Sequence, residues 1–231
     1  MAPPDNEYDN RIEASYKLGD EPVNETFTVQ KQGDVYLLYD VTQDVNLENI
    51  RHRSLPMRIN GVGVTSDTVH LFPGSYLLTT GSPYVTYGGG PLVIKSPNDF
   101  ARAYDHRPVI TSAGTKAVVA AAKTKLEGCA EEAAFKPSGC PFLNIRENPG
   151  QNIRESSVRR RIIGNPFADV EPRTDFQDPA VAEFSITVRW SAKASGSQNG
   201  QRASFSIDSA TDFTRARARL TNDPVKVVFG R

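Results

Sequence analysis

The chain has 231 residues, 38% apolar and 23% charged, and its 27 basic and 27 acidic residues leave a formal net charge of zero. These proportions fit a folded globular protein, while 17 glycines and 16 prolines argue for many turns and against an all-α fold. The zero hides an asymmetry: acids outnumber bases eleven to three over residues 1–50, and bases outnumber acids eight to three over residues 189–231. Such a split reads first as two differently charged solvated surfaces, and only second as an internal contact or a docking face for an anionic partner.

The length allows one sizeable core or two small ones, and we expect two. No apolar run approaches the roughly 18–20 residues that span a bilayer; the nearest covers only 117–122. Met1-Ala2-Pro3-Pro4 and the acidic residues after it lack the basic start and apolar core of a secretory signal. The expectation is that a native signal or anchor has been removed from in front of this sequence, with a complete cytosolic protein as the alternative.

Residues 1–25, rich in Asp, Glu, Asn and Pro, are expected to form a flexible acidic lead, with the fold starting near Thr26. Phe27-Thr28-Val29 and Val35-Tyr36-Leu37-Leu38-Tyr39 are β-type runs separated by Lys31-Gln32-Gly33-Asp34, which predicts a hairpin. Leu55-Pro56-Met57-Arg58-Ile59 leads into Asn60-Gly61, a pair suited to positive φ in a tight turn, and Val62 and Val64 resume. Val69 to Phe72, Pro73-Gly74 as a type II turn and Ser75 to Thr79 complete an expected small antiparallel unit. Tyr84 to Tyr87 and Leu92 to Ile94 are expected to add strands on either side of Gly88-Gly89-Gly90.

Asn60-Gly61 followed by Leu71-Phe72-Pro73-Gly74-Ser75-Tyr76 resembles the strand-turn-strand pattern of PEGA-type β modules, although a Thr-Pro pair before the second strand is missing. That resemblance implies a surface or envelope domain without catalytic residues.

Thr111 or Ser112 can cap a helix through Leu126, in which Val118, Ala122 and Leu126 form an apolar stripe beside lysines. Cys129 and Cys140 are too far apart for a zinc-ligand pair, and two cysteines alone cannot supply a four-ligand site. The Pro137-Ser138-Gly139 turn can return the second sulfur to the first, so a disulfide is expected; two unrelated buried thiols are the alternative. Closing this loop would stabilise the fold by roughly 3 kcal/mol and would place the protein in an oxidising compartment. The helix with Cys129 and the Gly139-Cys140-Pro141-Phe142 segment resembles the extracytoplasmic part of actinobacterial single-pass envelope membrane proteins of uncharacterised function. This implies that the cysteines pair and that the chain faces outward.

Residues 143–156 are expected to form a polar linker around Asn148-Pro149-Gly150, leaving 26–142 as the first folded region and 157–231 as a second small β domain. Candidate strands there cover 158–163, 167–170, 182–190, 203–207 and 225–229. Phe184, Ile186, Val188 and Trp190 alternate strictly, as in a strand with one buried face, and residues 195–200 form a loop after it.

Catalytic patterns are weak. Gly88-Gly89-Gly90 fits neither phosphate-binding glycine motif and reads as a turn. His52, His70 and His106 lack metal-ligand spacing, so only folding could gather them with carboxylates such as Asp99 or Asp105. No Gly-x-Ser-x-Gly elbow occurs. Arg159-Arg160-Arg161 and the alternating Arg215, Arg217 and Arg219 are the basic clusters. On a strand the latter would align three guanidinium groups that could bind phosphate or another anion, with a solvated or acid-paired face as the plainer reading.

The sequence thus points to an α+β, mostly β fold: an antiparallel β module with a disulfide-tied helix, then a second small β domain. The expected function is a non-enzymatic extracytoplasmic binding or interaction domain in envelope assembly or sensing, tethered by a preceding N-terminal segment. Its partner would be an envelope protein, a polysaccharide or an anionic lipid rather than nucleic acid, and no cofactor or metal is expected. The alternatives are a lipid or glycolipid carrier with an apolar cavity between sheet and helix, and a cryptic hydrolase.

Overall fold

A computed structural model describes residues 10–98 and 103–230. The described residues are mostly strand, with one α-helix and two short 3-10 turns, so the fold is α+β and predominantly antiparallel β. Two compact units share the chain: one is built from residues up to Gly81 together with Thr86–Pro108, the other from Ser82–Val85 together with the chain from Val109 onward.

The first unit starts earlier than the sequence suggests. Arg11–Leu18, Glu21–Gln32 and Val35–Tyr39 form a three-stranded antiparallel meander, so residues 11–25, expected to be part of a flexible lead, are sheet. Charged and small polar residues hid the signal, because only every second position is apolar: Ile12, Ala14 and Tyr16 share one face with Phe27 and Val29. Residues 1–9 lie outside the described residues. The second and third strands form the expected hairpin, with Gln32 opposite Val35 and Gly33-Asp34 as its two-residue loop.

A second cluster in this unit joins Val45, Leu47, Ile50, Met57, Ile59, Leu78, Tyr87, Leu92, Ile94 and Ala103. Met57–Ile59 pairs with Val62–Val64 around Asn60-Gly61, whose φ values of 48° and 84° are those a tight hairpin turn demands. The expected hairpin around Pro73-Gly74 does not form. Thr68–Leu71 pairs with Gln43–Asn46, Gly74–Tyr76 with Leu92–Ile94, and Leu78–Thr80 with Met57–Ile59. Gly74 begins a strand and is not among the positive-φ glycines, so the type II turn is absent.

The second unit holds the helix Ser112–Glu131, which the sequence reading grouped with the first region. Thr111 caps it, its hydroxyl oxygen accepting from the Gly114 amide at 3.0 Å, and Val118, Ala122 and Leu126 form the expected buried stripe. The helix lies against Arg159–Ile163 and Val227–Gly230. Cys129, on the same buried face, is disulfide-bonded to Cys140, with a Cα–Cα distance of 6.2 Å. The bridge fits an oxidising compartment. No described helix is long and apolar enough to cross a membrane.

The centre of this unit is a hairpin of two long strands, Val181–Gln198 and Gln201–Arg219, turning at Asn199-Gly200. The loop expected over 195–200 is therefore confined to two residues, because Ser195 to Gln198 remain paired with Gln201 to Ser204. Between Trp190 and Ala192 the register shifts, placing Ser191 against two residues of the partner strand, a bulge. Phe184, Ile186, Val188 and Trp190 are buried as their alternation predicts. Arg173–Thr174, Arg159–Ile163 and Gln151–Ile153 pair in turn along one edge of the first long strand, and Val227–Gly230 pairs with part of the second. Gly196 permits this close pairing, since a Cβ there would lie 2.1 Å from the Asn152 carbonyl oxygen.

Residues 143–156 are not a linker. Leu143, Ile145 and Ile153 are buried, and Phe142 meets the ring of Phe229 edge-on at 5.1 Å between centroids. The strand expected over 167–170 is instead a turn. Asp212 fastens the 143 region to the sheet: one carboxylate oxygen accepts from the Trp190 indole N–H at 2.8 Å and from the Leu143 amide at 2.9 Å.

Two outcomes follow. Asp212→Leu leaves both donors without an acceptor and should lower stability by about 2–3 kcal/mol in urea unfolding. The intact mass of folded protein alkylated without reductant should show no added label, whereas reduction should expose two thiols and lower stability by roughly 3 kcal/mol.

Candidate interaction surfaces

The three arginines singled out by alternation lie on one exposed strand face, since Ala216, Ala218 and Leu220 between and after them are buried. The fold neutralises two of them. Arg217 donates to Asp175 at 2.6 Å and pairs with Glu183 at 2.9 Å; Arg219 donates to Asp178 at 3.0 Å. The two aspartates organise the turn before the first long strand, Asp175 accepting from the Gln177 and Asp178 amides and Asp178 from the Ala180 amide. Arg217 and Arg219 therefore hold a turn to the sheet. Arg215, opposite Ser185 and Gly230, remains beside a depression of about 600 Å³ that the exposed Phe176 also lines.

Two members of the other basic cluster, Arg159 and Arg160, are also structural, while Arg161 is exposed. Arg160 reaches to where the helix ends, donating to the carbonyls of Leu143, Glu132 and Phe135 at 2.8, 2.8 and 3.2 Å and to that of Ala134. Burial pulls its pKa below the ordinary arginine value, while Glu132 and Glu155 act in the opposite direction. Arg159 turns back to the Ser156 and Val158 carbonyls.

The histidines are separated. His106 is buried, its Nδ1 at 3.0 Å from the Gly88 carbonyl oxygen, and a Cβ on Gly89 would come within 3.0 Å of that nitrogen. The Gly88-Gly89-Gly90 turn thus packs on a histidine ring. His70 contacts Asp44 across paired strands, with both side chains about two-thirds exposed, in no cleft. His52 sits in an isolated bridge with Leu55. Asp99 lies outside the described residues, and no three described His, Cys, Asp or Glu side chains converge as a metal set.

The helix stripe is solid: Val118 and Ala122 are 0% exposed and Leu126 2%. A groove of about 870 Å³ runs along the helix flank, between Ala117, Ala121 and Gly128 on one side and residues 223–227 on the other, but it is open to solvent. Acyl chains require an enclosed apolar volume.

A surface of another kind lies in the first unit. Every side chain of Val35–Tyr39 is exposed, from 38% at Tyr39 to 59% at Val35. Pairing register fixes the faces. Tyr36 and Leu38 share the face of Phe27 and Val29, whereas Val35, Leu37 and Tyr39 share the solvent face, which the other two strands line with Arg11, Glu13, Ser15, Thr26, Thr28 and Gln30. Leu38 also lines a depression of about 620 Å³ with Tyr16, Phe27, Val41, Phe72 and Pro73, and Phe72 is itself 60% exposed. Sequence analysis identified this strand but not its exposure, which depends on its being the last of the sheet.

No protein-family model matches the chain, and neither the curated proteins nor the solved structures give a match.

Hydrogen bonds from the Asp178 and Gln177 amides hold the Asp175 carboxyl below its ordinary pKa of 3.8, with Arg217 adding to the shift. A lowered carboxylate pKa contributes stability above the unfolded value that is lost as pH falls through the folded value. The protection of the Gln177 and Asp178 amides, read as observed exchange against the intrinsic rate at each pH, should hold above about pH 4 and fall on acidification below it. Asp175→Asn should remove that pH dependence.

Proposed function

We propose that this chain is a non-enzymatic extracytoplasmic binding module of an actinobacterial envelope protein, tethered to the cell membrane by a preceding N-terminal segment and acting in envelope assembly or sensing. The observation that carries the reading is Val35–Tyr39, five consecutive apolar residues exposed on both faces of a sheet-edge strand. A strand that water alone surrounds carries polar residues on at least one face, and a strand apolar on both faces is the pattern of one covered on both. The disulfide supports an outward-facing location. The resemblance to PEGA-type modules and to outward-facing envelope domains points the same way. Separated histidines give a hydrolase no support, and the packed helix stripe gives a lipid carrier none.

A photo-crosslinking amino acid in place of Tyr36, in the membrane-tethered protein in intact cells, should yield a discrete adduct that is absent when Thr26 of the same sheet is replaced. Leu37→Asp should abolish the adduct without changing the unfolding midpoint. Equal labelling from both positions, or an adduct indifferent to Leu37→Asp, would remove the interaction reading.

A further inference from the structure

We infer that Val35–Tyr39 takes up, by edge-to-edge main-chain pairing, an extended apolar segment of another protein that carries a basic residue at each end. The inference rests on the interaction reading above and names the occupant of that surface. Its first support is topological. Val35–Tyr39 pairs with Glu21–Gln32 on one side only, so among the described residues its other edge offers main-chain donors and acceptors in a row.

The open edge of the second unit is a useful contrast. Gln201 to Phe213 also lacks an outer neighbour among the described residues, yet it interleaves Ser204, Ser206, Asp208, Thr211 and Asp212 with its apolar residues. That is how a solvated edge discourages pairing. Val35–Tyr39 contains no charge and nothing more polar than two tyrosine hydroxyls. A strand laid beside it would cover Val35, Leu37 and Tyr39 on the solvent face. On the other face, its side chains would extend the apolar surface of Leu38, toward the depression with Phe72 and Pro73.

Charge decides which strand fits. Asp34 and Asp40 stand at the two ends of the apolar run, both exposed and neither in an ion pair among the described residues. A second copy of this chain pairing antiparallel about Leu37 would match Val35 with Tyr39 and Tyr36 with Leu38, but it would also set Asp34 against Asp40 twice. Like charges directly opposite are destabilising. Sliding the register by one or two residues places an aspartate opposite an apolar residue instead. Self-pairing therefore conflicts with the sequence in every register that keeps the apolar run covered. A foreign strand with Lys or Arg at both ends satisfies both aspartates, whether it runs parallel or antiparallel. The acidic excess over residues 1–50 extends the same preference and disfavours anionic membrane as the occupant.

The test uses two fluorescent peptides with one Val–Thr–Val–Thr–Val core, flanked by lysines or by glutamates, titrated into the intact protein. The lysine-flanked peptide should bind about ten-fold more tightly and slow amide exchange at residues 35–39. Asp34→Asn with Asp40→Asn should erase the preference; asparagine also tolerates the positive φ of Asp40, so the turn is kept. N-methylation along the pairing edge of the peptide should abolish binding. Equal affinities, indifference to N-methylation, exchange protection that instead tracks protein self-association, or binding to anionic vesicles in place of peptide would each overturn the inference. A Tyr36 adduct that forms in cells while neither peptide binds would retain the docking surface and reject a strand as its occupant.

Discussion

Side chains on a β-strand point alternately to opposite faces, and this two-residue period governs both units. In the long hairpin it holds from Ala182 to Trp190: Phe184, Ile186, Val188 and Trp190 point one way, while Glu183, Ser185, Thr187 and Arg189 point the other. The returning strand repeats it with buried Thr214, Ala216, Ala218 and Leu220 against exposed Phe213, Arg215, Arg217 and Arg219. Such a sheet has one apolar face to cover, and the helix with the 142–145 segment supplies buried residues of its own for that purpose. Val35–Tyr39 breaks the period. Apolar on both faces and placed at an edge, it leaves a requirement that the described chain does not meet.

Charge is used differently in the two units. The clustered arginines of the second unit look in sequence like an anion-binding row, but Arg159, Arg160, Arg217 and Arg219 donate to acceptors of their own unit. Arg217 and Arg219 tie the Asp175 to Asp178 turn to the sheet, and Arg160 collects carbonyls at the end of the helix and in the segment after it. Guanidinium suits this work because its planar donors reach several acceptors at once. Arg215 alone of the alternating three keeps an open setting. In the first unit, Asp34 and Asp40 have no such ion-pair partner among the described residues and face solvent at the ends of an apolar strand.

The Cys129–Cys140 bridge joins the end of the helix to the segment that carries Phe142 and Leu143, both buried. Its stabilising effect acts chiefly on the unfolded chain, by shortening the loop that must otherwise be closed. Location follows from chemistry of this kind more directly than activity does. The bridge itself bears on the compartment, which is oxidising.

By itself the sequence determined the features that depend on neighbours along the chain. The mostly β class, the Asn60-Gly61 turn, the Thr111 cap, the buried helix stripe, the alternating 184–190 run and the disulfide were all legible, because each is a matter of local period or local backbone preference. Tertiary structure decided which strands pair. Nothing local says that Gly74–Tyr76 joins Leu92–Ile94 rather than Thr68–Leu71, or that the helix belongs with the second sheet. Residues 11–25 and 143–156 passed as lead and linker because their few apolar residues signal order only when a partner strand or core is in place. The roles of the arginines were equally hidden, since Asp175, Asp178 and the helix-end carbonyls approach them only through the fold. The exposed edge of Val35–Tyr39 belongs to the same class: being outermost is a property of the sheet, and no single strand encodes it.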